Sequence, residues 1–292
     1  MTAGAATSAE LRQRCGLPVL TWPALDGRGA EAMVTTRQGG VSAGPYETLN
    51  LSFSVGDNLA AVLANRHRMA AALGARLGDF VFARQVHGGQ ARVVTAADRG
   101  RGTLALAGAI EDADALVTAD PGTVLAVLVG DCVPIVLYDP AARVLAAVHA
   151  GWRGTVAGVS AAALAAMASL GARPESVLAG LGPAIGPDRY QVGADVRDGV
   201  TACLGADAAG VLRPDGTGRW LLDLWAANRA LLVRAGVPDR QIHVAAIPTG
   251  PDPGLFFSDR TARPCGRFAL VARLTESTTP IGPAEPTDGR TG

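Results

Sequence analysis

Cys132 and His149 lie 17 residues apart within GDCVPIVLYDPAARVLAAVHAGWRG, Gly130 to Gly154, each at the end of an apolar run and close to glycine. The chain has only four cysteines and four histidines, so two of them bracketing one apolar stretch is a specific placement. His87 ends another strand-like run, just before the double glycine of QVHGG. All three occupy positions where a strand gives way to a turn, and folds tend to display functional groups there. Two neutral imidazoles and one thiolate form a three-ligand zinc shell with a fourth position left open. Cysteine and histidine also suit copper, so the ligand types alone do not choose the metal. Two other readings stay open. Cys132 could be the nucleophile of a Cys–His hydrolase with His87 or His149 as its base, or a small buried apolar residue. The separations of 45 and 17 residues are not those of a compact zinc finger.

Further polar residues could serve such a centre. Asp131 precedes the cysteine and is the slightly preferred carboxylate to orient a histidine, ahead of Asp114 in ADALVT; either could equally be a turn residue. In TTRQGGVSAGPYETLNLS, Arg37 beside Gly39, Gly40 and Ser42 could make an anion nest, and Asn50 could meet a sugar hydroxyl. The alternative there is an ordinary turn with a solvated arginine. Arg66 and His67 in ANRHRM are expected at the surface. Arg260, Arg263 and Arg267, with Ser258 close by, could grip a phosphate, or could equally belong to a solvated loop. Trp152 and Arg153 follow His149, and core packing is the expected use of the tryptophan.

The elements that must hold these residues alternate in type. EAMVTTRQGG, DFVFARQVHG, QARVVTA, ADALVTA, VLAVLVG, VPIVLYD and RVLAAVHAG read as strands, several of them fully buried. SVLAGLGPAIG, IHVAAIPTG and GRFALVARL add more. DNLAAVLANRHRMAAALGA, with Asp57 or Asn58 as cap, TVAGVSAAALAAMASLGA and LLDLWAANRALLVRAGV read as three helices. The expectation is a mixed α/β chain. Segment 1–16 is expected to be a flexible N-terminus, 17–274 one domain, and 275–292 a disordered tail rich in Pro, Gly, Thr and charge.

Composition narrows the partners. Of 292 residues, 49% are hydrophobic and 18% charged, enough for a sizeable core. Net charge is zero with no long basic run, which argues against nucleic acid and anionic membranes as partners. There is no lysine, so all 26 basic residues are arginine. A Schiff-base lysine is excluded, and an anion must be held by guanidinium forks, backbone amides or a helix N-terminus. No signal peptide and no apolar run of about 18 residues is recognised, and the cysteines show no disulfide spacing. A cytoplasmic protein with reduced thiols is expected.

The blocks TTRQGGVSAGPYETLNLSFSVGD, NRHRM, QVHG, DADALVTADPG, GDCVPIVLYD, VHAGWRGTVAGV, GLGPAIG and FFSDR…GRFA occur in that order. Together they resemble the laccase-domain family, once called multicopper polyphenol oxidases and now described as purine nucleoside phosphorylases. The resemblance covers about Thr35 to Leu274. It implies an α/β fold with mixed sheets sandwiched between helices, an αββα-like arrangement. It implies one zinc on His87, Cys132 and His149, with copper as the possible substitute. The implied chemistry is phosphorolysis of adenosine, guanosine or methylthioadenosine to free base and pentose 1-phosphate, with deamination of adenosine to inosine. Small-molecule nucleosides and phosphate are then the partners, met by a monomer or small homo-oligomer. Older or rarer descriptions are copper-dependent phenol oxidation and an amidase acting on muropeptides, and a zinc protein without enzymatic activity is the remaining alternative. A multicopper oxidase needs about ten ligands, chiefly histidine, and four histidines do not supply them. The residues expected to touch substrate are Arg37, Gly39, Ser42, Asn50, Asp131 and Arg260. The chain departs from the family pattern at Ser54, Asn58, Asp259 and Cys265.

Overall fold

The computed structural model describes residues 8–250 and 254–275. Two six-stranded mixed sheets carry the fold. The first runs in the order β1 (Glu10–Arg14), β2 (Leu17–Thr21), β3 (Ala30–Thr35), β17 (Phe268–Leu274), β7 (Val124–Val129) and β4 (Phe80–Phe82). The second runs β15 (Ile242–Val244), β10 (Leu178–Leu181), β8 (Val133–Asp139), β9 (Val144–Ala150), β6 (Ala115–Thr118) and β5 (Ala91–Val93). Short pairings join β11 (Ala184–Ile185) to β16 (Pro248–Thr249), and β12 (Gln191–Val192) and β13 (Leu212–Pro214) to β14 (Trp220–Leu222).

The period-two geometry of a strand explains why these sequences are apolar on both faces. On β7, Leu125, Val127 and Val129 point to a layer shared with the second sheet, while Val124 and Ala126 point outward. On β9, Leu145 and Ala147 enter the shared layer, and Val144, Ala146 and Val148 face the other way. Helix α1 (Leu59–Ala72) covers the outer face of the first sheet with Met69, Ala70 and Ala72. Helices α3 (Val159–Ser169), α4 (Ala194–Leu204) and α5 (Leu224–Arg234) cover the second. The helix–sheet–sheet–helix order is the one expected from the family resemblance.

Three differences from the sequence reading have physical causes. Residues expected in a flexible N-terminus form β1, which pairs in register with β2 from Glu10↔Thr21 to Arg14↔Leu17. It is an edge strand, exposed or half-exposed along its whole length and rich in charge, as solvent-facing sheet edges are. The helix expected across TVAGVSAAALAAMASLGA is two helices, α2 (Trp152–Val156) and α3, because Gly158 takes the left-handed conformation (φ 78°). Helix α4 was not anticipated, since the glycine and aspartates of ADVRDGVTACL mask its apolar stripe of Val196, Val200 and Leu204. The expected disordered tail falls on residues outside the described ones, apart from residue 275.

Candidate functional site

Strand register brings the three expected ligands together. β8 and β9 are antiparallel, with Val133 opposite Ala150 and Pro134 opposite His149. Cys132, one step before β8, therefore meets Gly151, one step after β9. A Cβ on Gly151 would lie 2.7 Å from Cys132 Sγ and 3.4 Å from His87 Cδ2, so only glycine leaves the space these side chains converge on. His87 arrives on the segment after β4, in the left-handed region (φ 59°). Its ring packs edge-on against His149, with centroids 4.7 Å apart and planes at 81°. One donor atom from each of His87, Cys132 and His149 lies within 4.8 Å of the others. His67 is exposed on α1 and His243 lies on β15, so neither joins the group.

The carboxylate that braces the group is Asp114, which corrects the expectation that Asp131 would do so. β6 runs antiparallel to β9 with Ala115 opposite Val148, which puts Asp114 beside His149. Asp114 is fully buried, and its Oδ1 sits 2.8 Å from His149 Nδ1. The same carboxylate accepts the backbone N–H groups of Val86, His87 and Gly88 at 3.2, 3.0 and 2.7 Å. Burial alone would push this carboxyl up, but the bonds to His149 and to the amides hold it below its ordinary value. With Nδ1 committed to Asp114, His149 presents Nε2 to the other donors.

Electrostatics favour the anionic sulfur. Burial alone would raise the Cys132 thiol, but the imidazoles of His149 and His87 outweigh it and bring it down to about 6. Burial opposes charge on His149, yet Cys132 and Asp114 together raise it. A thiolate beside two imidazoles is the donor set that a zinc or copper ion takes, and the residues fit one such ion. The same pairing also describes an activated cysteine nucleophile.

The group opens into a cavity of about 520 Å³, within the range of small-molecule sites. Trp152 and Tyr190 line one part of it, with the Arg153 guanidinium 4.5 Å from the Trp152 ring and that of Arg260 5.2 Å from the Tyr190 ring. Trp152 is half-buried: it packs against the core under the second sheet, as expected, and also forms part of the cavity wall. Asp131 also lines the cavity, but its carboxylate is taken by Thr249 Oγ1 (2.5 Å) and the Arg260 amide (2.7 Å). Arg267 is anchored to Asp259 at 2.8 Å. Arg260, Arg263 and Arg267 all line the cavity, with Asp259 as the counter-charge of Arg263 and Arg267.

The other expected substrate residues do not. Arg37, Gly39, Ser42 and Asn50 lie outside the cavity wall, and their polar groups are used internally. Arg37 Nε donates to Glu47 O at 2.7 Å, and its guanidinium covers the Phe257 ring. Ser42 and Asn50 are buried and both donate to Asp57, at 2.6 and 2.9 Å. Gly39 accepts from Arg68. This cluster ties the loop before α1 together. Conversely Arg66, expected at the surface, is buried and lines the cavity. Its signal was available: Val62, Arg66, Met69 and Ala70 fall on one helical face.

The chain matches the family model described as multi-copper polyphenol oxidoreductase laccase over residues 31–275. It is 37% identical over 268 residues to purine nucleoside phosphorylase YlmD of Geobacillus stearothermophilus, covering 91% of this chain and 95% of that protein. It is 44% identical over 232 residues to a purine nucleoside phosphorylase of Deinococcus radiodurans, covering 77% and 81%. The crystal structure of YlmD from Geobacillus stearothermophilus superposes with a TM-score of 0.86 at 36% identity, over 91% of this chain and 99% of that one. That of the Bacillus licheniformis hypothetical protein YfiH gives a TM-score of 0.85 at 34% identity, over 88% and 96%. No helix among the described residues is long and apolar enough to cross a membrane.

Proposed function

The chain belongs to the laccase-domain family, described as multi-copper polyphenol oxidoreductase laccase, and on that premise we propose that it is a zinc-dependent purine nucleoside phosphorylase. Its substrates are adenosine, guanosine or methylthioadenosine with orthophosphate, and its products are the free base and a pentose 1-phosphate. The observation that carries this reading is the convergence of His87, Cys132 and His149 in the wall of a cavity lined by aromatic rings and arginines. The names of the related phosphorylases support the reaction class. Deamination of adenosine to inosine is proposed as a second activity of the same cavity, and the cytoplasm as its place of work.

His87, Cys132 and His149 would hold the zinc, and copper is the substitute their chemistry admits. When bound, the ion supplies Lewis-acid stabilisation of negative charge. In phosphorolysis the glycosidic C–N bond breaks, a C–O bond to phosphate forms, and a base nitrogen takes up a proton. The chain's part is to place and neutralise. Trp152 and Tyr190 offer flat faces for a purine ring. Among the described residues neither Arg153 nor Arg260 has a carboxylate salt bridge, and although Arg260 Nη1 donates to Gln191 O at 3.0 Å, both cations remain to neutralise phosphate charge in the cavity. Asp114 keeps His149 in one orientation throughout.

The test is product analysis of adenosine incubated with purified protein, with and without phosphate. Adenine formed only with phosphate supports phosphorolysis, and inosine formed in both cases supports deamination. Absence of both products sinks the reading. A Cys132-dependent activity that alkylation blocks and metal removal spares would favour the Cys–His hydrolase instead.

A further inference from the structure

The Phe82 part of the cavity is built around a buried cation. Arg66 reaches there from the inward face of α1 and is only 3% exposed. Its Nε donates to Leu51 O at 2.8 Å, and its Nη1 donates to Gly102 O at 2.6 Å and Thr103 O at 3.0 Å. Its guanidinium is held between two rings, 4.2 Å from the Phe53 centroid and 4.0 Å from that of Phe82. Among the described residues no carboxylate pairs with it and Nη2 has no acceptor. A buried charge without a counter-charge is costly, and folds keep one where a ligand completes the pair. Burial pulls this guanidinium down to about 9, so it is still cationic at neutral pH.

The neighbouring hydroxyls complete a set of donors. Ser52 Oγ and Ser54 Oγ lie 2.9 Å apart and line the same wall. One hydroxyl hydrogen closes that pair and the other is left to donate outward. Guanidinium N–H and serine hydroxyl groups are the donors that phosphate oxygens take. We propose that Arg66, Ser52 and Ser54 form a phosphoryl-binding subsite of this cavity. The subsite stands on this geometry; only its use in turnover rests on the phosphorylase reading. Phe82 and His87 are five residues apart on one chain segment, at most about 18 Å. A ligand of nucleotide length therefore reaches from the subsite to the His–Cys–His group. The phosphoryl group is either free orthophosphate or a phosphate ester carried by the substrate.

The experiment is calorimetric titration of the full chain with inorganic phosphate, adenosine and adenosine 5′-monophosphate. It is run on wild type, Arg66→Met and Ser54→Ala, with thermal melting to establish that each is folded. A site for orthophosphate loses roughly tenfold or more in phosphate affinity in Arg66→Met and roughly threefold in Ser54→Ala. A site for an ester leaves orthophosphate weak but makes the monophosphate bind tighter than adenosine, and both variants erase that advantage. The proposal is overturned if wild type binds neither phosphate form, or binds them as tightly as the variants do. Should Arg66→Met fail to fold, Ser52→Ala joins Ser54→Ala, and unchanged binding in both overturns it. Because binding is read without turnover, an absent phosphorylase activity and an absent subsite give different results.

Discussion

Asp114 Oδ1 lies 2.8 Å from His149 Nδ1, and the same buried carboxylate accepts the backbone amide of His87 at 3.0 Å. One side chain therefore orients one candidate ligand and anchors the loop that carries another. Changing Asp114 to Asn keeps the volume but removes the charge and one acceptor. The expected outcome is a loss of about 10–100-fold in metal affinity or activity, as for other residues that orient metal ligands. Competition with a chelator measures the first, and phosphate-dependent base release measures the second.

The Cys132 thiol sits at about 6 because the neighbouring imidazoles outweigh its burial. A depressed thiol is anionic above its pKa and loses the charge as pH falls through it. In metal-stripped protein, alkylation of Cys132 by iodoacetamide should therefore be half-maximal near pH 6, against about 8.5 for an ordinary thiol. Reloading with zinc should suppress the reaction across the range. A midpoint near 8.5 would show that the imidazoles do not stabilise the thiolate.

The candidate ligands were readable in the sequence because residue type, rarity and position at strand ends all coincide at His87, Cys132 and His149. The helix–sheet–sheet–helix order was readable from the family blocks. What brings Asp114 rather than Asp131 to the histidine is the pairing of β6 with β9, a register between distant strands. No local pattern encodes it. Arg37, Gly39, Ser42 and Asn50 misled for the complementary reason. A glycine-rich turn beside an arginine has the composition of an anion nest, while here its polar groups are used by Glu47, Asp57 and Asn65. Arg66 carries a charge that points to solvent, while its place on the apolar stripe of α1 with Val62, Met69 and Ala70 turns it inward.

Gly151 is the narrowest point of the centre. In Gly151→Ala the added Cβ would meet Cys132 Sγ at 2.7 Å, so the sulfur or the backbone must shift. Overpacking of this kind costs about 1–3 kcal/mol. The expected result is a folded protein with a modestly lowered melting temperature and with little bound metal. Metal analysis beside a melting curve checks both halves.

The layer between the sheets is one of the buried cores of the fold. Leu270 on β17 is fully buried there. Leu270→Ala should destabilise by about 2–5 kcal/mol through lost burial and the cavity left behind. Urea unfolding measures this as a lower midpoint with an unchanged slope. A loss below about 1 kcal/mol would mean that the two sheets do not pack as described.

The most direct measurement of the central claim is a zinc titration of chelator-stripped protein, following adenine release from adenosine in phosphate buffer. The expected result is activity that rises with zinc to a plateau at one equivalent per chain, needs phosphate, and is absent in Cys132→Ala. Adenine release that is full in the stripped protein, or that survives in Cys132→Ala, would contradict a zinc centre on His87, Cys132 and His149.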